Sequence, residues 1–152
     1  MKKIIGLVAS IVVLITLSAC GIEKTKTFVG EKDDVKMEVT YTYKGDKVIK
    51  QKSVNTLKYS DFGISDDASK KLVKESIERQ SEKIQDVKGV KESIKENDEG
   101  FVETIDVDFE KADIDTLKSK GIVNIAGNTG TSISMKKTEK KMKKDGFKEK
   151  ED

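Results

Sequence analysis

Histidine, tryptophan and proline are missing from this sequence, and cysteine occurs once. Without histidine there is no ordinary base for a nucleophilic triad and no imidazole to bind zinc. The lone cysteine, Cys20, cannot close an internal disulfide, so any folded part must be held by its core alone. Three tyrosines and five phenylalanines are the only aromatics. Arg79 is the single arginine, so lysine supplies nearly all positive charge. That usage fits A-rich codons and a low-GC bacterium. An enzyme made from this chain would have to work with carboxylates, lysines, tyrosines and hydroxyls.

The one long apolar run explains the one cysteine. Lys2 and Lys3 precede "IIGLVASIVVLITL", Ile4 to Leu17. As a helix this run spans roughly 21 Å at about 1.5 Å per residue, too short for a ~30 Å hydrocarbon core. A charged start, a short apolar stretch and small residues before a cut site describe a secretory signal. Leu17-Ser18-Ala19-Cys20 resembles the lipobox of bacterial lipoproteins, in which the thiol is diacylglycerylated and the signal is cut between Ala19 and Cys20. A small pair fits a narrow protease site, and a thiolate is nucleophilic enough to form the thioether. Two acyl chains then hold a protein where one would bind reversibly. The expected organisation is a signal peptide at 1–19, a lipidated tether at 20–26 and one domain at 27–150. Gly21 gives no Asp-type inner-membrane retention signal. The expected location is therefore the extracytoplasmic face of a cell membrane, in a Gram-positive cell.

Charge excludes a class of partner. Formal net charge is +2, from 30 basic and 28 acidic residues. Two of the basic residues, Lys2 and Lys3, leave with the signal, so the mature chain is balanced. No net charge remains to release counterions, which argues against nucleic acid. At about 130 residues the remainder is one domain in size.

Periodicity sets the fold class. "VKMEVTYTY", Val35 to Tyr43, alternates over nine residues with Val35, Met37, Val39, Tyr41 and Tyr43 on one face, as a half-buried strand does. Lys44-Gly45-Asp46-Lys47 is a hairpin turn, and Val48 to Ser60 returns as a strand with weaker alternation. A shorter strand near Thr25 to Val29 precedes them. Ser65 is the expected N-cap of an amphipathic helix over about Asp66 to Val87, with Val73, Ile77, Ile84 and Val87 on one stripe, Leu72 beside them, and Gly89 near its end. Strands at Val90 to Glu96 and Phe101 to Phe109 follow, with Phe101, Ile105, Val107 and Phe109 inward and Thr104, Asp106 and Asp108 outward. Asp113 to Gly121 reads as a short helix, and "IVNIAGNTGTS" as a loop or edge strand. Ser134 caps a last helix to about Lys144, with Gly146 left-handed and Phe147 packing back on Met142, as in a Schellman motif. The class is α+β: an antiparallel sheet packed on one face by a long helix and a C-terminal helix.

The lipobox, "KTFVG", "YTYKGDKVIKQ", "VKGVKESIKEND", "ETIDVDFEKADIDTLK" and "SISMKKTEKKMKKDGFKE" together resemble the YehR-like family of small bacterial lipoproteins, over nearly the whole mature chain. The resemblance implies a compact α+β extracytoplasmic domain on a lipid anchor. It carries no catalytic residues onto this sequence.

Four stretches merit scrutiny as sites. Asp106 and Asp108, roughly 7 Å apart on one strand face, are weak candidates for a hard cation within the acidic run that ends at Asp115. Leu117 stands where an EF-hand needs its closing glutamate, so a solvated face is the plainer reading. Ala126 to Ser132 could cradle an anion, but lacks P-loop spacing. Tyr41, Tyr43, Tyr59 and Phe62 could line a groove, though inward tyrosines are more often core. The lysines of "KKTEKKMKKDGFKEK" could touch anionic headgroups. The expectation is a non-enzymatic, membrane-anchored binding or interaction module with no cofactor beyond the diacylglycerol on Cys20. Its partners are membrane lipid and a protein or small molecule not identified by sequence. The alternatives are a carboxylate- or cation-dependent factor using residues 106–115, and an envelope structural or stress protein.

Overall fold

A computed structural model describes residues 21–123, 128–129 and 132–151. Ten residues of β1 (Glu23–Lys32) run antiparallel to β2 (Val35–Lys44), which runs antiparallel to β3 (Lys47–Lys58). A 3-10 turn (Tyr59–Phe62) leads to α1 (Asp67–Gln85), then the hairpin β4 (Val90–Asn97) and β5 (Gly100–Asp108). α2 (Ile114–Ser119), β6 (Asn128–Thr129), β7 (Ser132–Ser134), α3 (Met135–Lys144) and β8 (Lys148–Glu149) complete the chain. The order across the sheet is β4-β5-β3-β2-β1-β8, with β7 continuing the β5 side of β3 at Lys47 and Val48. The architecture is α+β with an antiparallel sheet.

Directly opposed residues share a face, so the ladders fix both surfaces of the sheet. One surface carries the rows Tyr41–Gln51–Val107–Val90 and Val39–Ser53–Ile105–Glu92. The opposite surface carries Thr40–Lys52–Asp106–Lys91. All three helices lie on the first surface. Phe28, Val39, Tyr41, Ile105 and Val107 of the sheet join Ile84 of α1, Leu117 of α2 and Met142 of α3 in one core. α1 lies over β4, and α3 lies over β1 and β2. The Tyr41 hydroxyl donates to Met142 Sδ at 3.6 Å, and Lys26 of β1 pairs with Glu139 of α3 at 2.9 Å.

Several boundaries differ from expectation. β1 begins at Glu23, so residues 23–26 belong to the sheet and not to a tether. The strand is also ten residues long, since charged residues at its ends pair with β2 as readily as the apolar centre does. Asp66, not Ser65, caps α1, its carboxylate accepting from Ser69 N at 2.9 Å. Leu72 is 65% exposed, and only the C-terminal end of the apolar stripe, Ile84 and Val87, is buried. The register slips between Thr42 and Tyr43, and both Val48 and Ile49 are buried. That bulge is one reason for β3's irregular alternation. The end of α3 is as the sequence indicates: Gly146 has φ +90°, Phe147 N donates to Met142 O, and Gly146 N donates to Lys143 O. Those are the paired bonds of a Schellman motif.

Candidate functional site

Between α1 on one side and α3 on the other, the space over the middle of this surface is not filled. The gap is a cleft of about 660 Å³, closed at its back by Gly121 and Ile122 after α2. Its walls are apolar: Met37, Val39, Ile84, Ile105, Met142 and Phe147 all reach it. Its floor is not. β3 turns Gln51, Ser53 and Asn55 to the covered surface, where a two-faced sheet ordinarily places apolar residues. Opposite Asn55, β5 adds Glu103.

This polar strip is only partly satisfied. Asn55 Nδ2 donates to Glu103 Oε2 at 2.7 Å, and Gln51 Nε2 donates to Ser53 Oγ at 2.9 Å. The remaining amide oxygens, Gln51 Oε1 and Asn55 Oδ1, are buried without a hydrogen-bond partner among the described residues. Native proteins rarely leave buried acceptors unmatched, because each costs about 1–3 kcal/mol. Burial pushes the Glu103 carboxyl above the ordinary glutamate range, and the nearby Glu92 carboxylate adds to the shift against the opposing Asn55 donor. Glu92 itself accepts from Ser81 Oγ of α1. At the mouth stand Lys32, Lys120, Lys141 and Asp145. Lys141 pairs with Asp145 at 2.7 Å, and Lys120 Nζ donates to Lys83 O.

Of the residues singled out from sequence, Tyr41 lines the cleft, and Lys141, Met142, Asp145 and Phe147 of the lysine-rich terminal stretch also reach it, while the others lie elsewhere. Ala19 and Cys20 fall outside the described residues, as does most of the Ala126 to Ser132 stretch. Asp106 and Asp108 sit on the uncovered surface, where Asp108 is held by Lys111 Nζ at 2.7 Å and by Glu110 N at 3.1 Å. Among the described residues no three Asp, Glu, His or Cys side chains converge as metal ligands. Asp113 is occupied as the cap of α2, accepting from Thr116 N. The four aromatics do not form one groove. Tyr41 packs edge-on to Phe28, Tyr59 packs edge-on to Phe101, and Phe62 is exposed. Lys136, Lys137, Lys140 and Lys144 are exposed on α3. Gln51, Ser53, Asn55 and Glu103 were missed, although polar residues at the inward parity of two strands were the available signal.

Comparison with known proteins places the chain. Residues 24–148 match a family described as "Protein of unknown function (DUF1307)". The YehR lipoprotein of Escherichia coli is 33% identical over 97% of this chain and 96% of its own length. This chain belongs to that family. Another member, an uncharacterized lipoprotein of Listeria innocua, is 39% identical over 98% of this chain and 96% of its own. The solution structure of Escherichia coli YehR superposes with a TM-score of 0.71 at 31% identity, covering 84% of this chain and 91% of that one. A Streptococcus pneumoniae TIGR4 protein shares the fold alone, with a TM-score of 0.58 at 17% identity over 99% and 98% of the two chains. Relatives in the family are named lipoproteins in both Listeria and Escherichia, so membership does not decide the type of envelope.

Proposed function

We propose that this chain is a lipid-anchored extracytoplasmic module that captures a small polar ligand in the cleft and does no chemistry on it. The lipobox at Leu17 to Cys20 and the lipoprotein names of the relatives support the anchor. Cleavage between Ala19 and Cys20 leaves only Gly21 and Ile22 before β1, a reach of about 7 Å. The Glu23 end of β1, the Gly45-Asp46 turn and the start of α3 then face the bilayer. Lys32, Met37, Asn55 and Asp145, around the cleft, lie toward the other end of a strand about 30 Å long. The cleft therefore lies toward the end of the sheet that is remote from the membrane.

One observation carries the binding reading: two unpaired amide oxygens at the base of a 660 Å³ cleft with apolar walls. Ligand sites combine such walls with a few convergent polar groups. Against catalysis stands the placement of the carboxylates. A two-carboxylate mechanism needs both groups at the substrate, and of Glu92 and Glu103 only Glu103 lines the cleft. Asp106 and Asp108 have no part in this reading. The test is a two-dimensional amide NMR spectrum of the isotope-labelled protein titrated with a small-molecule extract of cell envelopes. Shifts centred on Gln51, Ser53 and Asn55 are expected. An extract that moves no cleft resonance rejects the proposal.

A further inference from the structure

The chemistry of the cleft is lopsided along its depth, and that asymmetry specifies a ligand. At the floor the two buried side-chain atoms left with no hydrogen-bond partner, Gln51 Oε1 and Asn55 Oδ1, are both acceptors. Asn55 turns Nδ2 to Glu103, which leaves Oδ1 as its unpaired oxygen. Gln51 is 6% exposed, directs Nε2 to Ser53 Oγ, and has Oε1 unpaired. Glu103, beside them, is an acceptor when ionised. At the mouth the charge reverses. Lys32 has no ion-pair partner among the described residues, and Lys120 is engaged only with a backbone carbonyl. Lys141 is already neutralised by Asp145.

We propose that the cleft takes a small zwitterion of the amino-acid or short-peptide class, its ammonium seated on Glu103 and the adjacent Asn55 and its carboxylate held by Lys32 and Lys120. An ammonium offers donors and no acceptor, which suits the Glu103 carboxylate and the unpaired Asn55 Oδ1 beside it. A simple anion would leave those acceptors unmet and face the buried Glu103 carboxylate. A polyamine would satisfy the floor and be repelled at the mouth. The apolar walls from Met37, Ile84, Ile105 and Met142 suit the uncharged body of a residue between two charged ends. The inference rests on the cleft being a binding site and adds what it selects.

The experiment uses full-length lipoprotein in detergent, titrated by calorimetry and amide NMR with free dipeptides carrying small, aliphatic or polar side chains. Each is paired with its N-acetylated and its C-amidated form. At least one free dipeptide is expected to bind and to shift Gln51, Ser53 and Asn55. N-acetylation is expected to weaken that dipeptide at least tenfold, and C-amidation severalfold. Glu103→Gln should reproduce the first loss. Lys32→Glu, a change at an exposed position, should reproduce the second. If acetylated peptides bind the cleft as well as free ones, or Lys32→Glu leaves affinity unchanged, the zwitterion is wrong while the cleft stands. If no dipeptide moves a cleft resonance but the envelope extract does, the ligand class is likewise wrong. If neither moves one, the binding reading fails as well.

Discussion

Gly30 and Phe147 compete for one space: a Cβ on Gly30 would stand 2.7 Å from Phe147 Cδ1 and 2.8 Å from its Cγ. The ring that ends the α3 Schellman motif lies flat on the backbone of β1, and this close approach seats the C-terminal segment on the sheet. Gly30→Ala should therefore cost about 1–3 kcal/mol through overpacking, read by urea unfolding. Gly21→Ala, with nothing within 4 Å of its Cβ position, should leave stability unchanged.

Glu103 should make the protein less stable as pH rises. Its carboxyl is raised above the ordinary glutamate range by burial first and by Glu92 second. The folded state then holds the proton after the unfolded chain has lost it, and stability falls as pH climbs from the ordinary glutamate range through the raised value. Glu103→Gln keeps a side-chain oxygen for Asn55 and removes the charge. Thermal unfolding should show the variant more stable than the parent at pH 7 and level with it in strong acid. A constant difference at all pH values would contradict the buried charge.

Asp33 and Asp34 form the β1–β2 turn with φ of +52° and +63°. Both central residues of such a turn favour glycine or asparagine, and a left-handed aspartate costs of order 1 kcal/mol. Asp34→Gly should stabilise by about 0.5–1 kcal/mol, seen as a higher urea midpoint with unchanged slope.

Cys20→Ala should abolish incorporation of labelled palmitate and membrane retention of the processed chain. Cell fractionation with immunoblotting checks it. Cleaved Cys20→Ala protein still sedimenting with membranes would exclude the thioether as the anchor.

The strands, the helices and the cap of α3 were readable where a local rule acts alone. Val35 to Tyr43 alternates because one face is dry. Gly146 and Phe147 mark a helix end because few residues adopt the left-handed conformation cheaply. The cleft was not readable, because it is made by the spacing of α1 and α3. No local pattern tells that the two helices stand apart over β3. Gln51, Ser53 and Asn55 looked like a poorly alternating strand, and Glu103 looked like an interruption among Phe101, Ile105 and Val107. The same substitutions that weakened the pattern build the floor. Asp106 and Asp108 were conspicuous for density alone, and density says nothing about convergence when Lys111 lies three residues on.

The sheet ends at β4 on one side and at β8, against β1, on the other. β8 is only two residues long and covers Phe28 and Val29, the apolar centre of β1. What remains open is mostly charged: Glu23, Lys24, Glu31 and Lys32 on one margin, Lys91, Lys95 and Glu96 on the other. Unpaired margins are templates for strand addition unless charge blunts them. Molecules confined side by side in two dimensions collide far more often than free ones, so crowding would punish a sticky border. On the lipid anchor proposed above, a two-residue patch over the greasy middle, with lysine and glutamate along the rest, would let many copies share a surface without fusing their sheets.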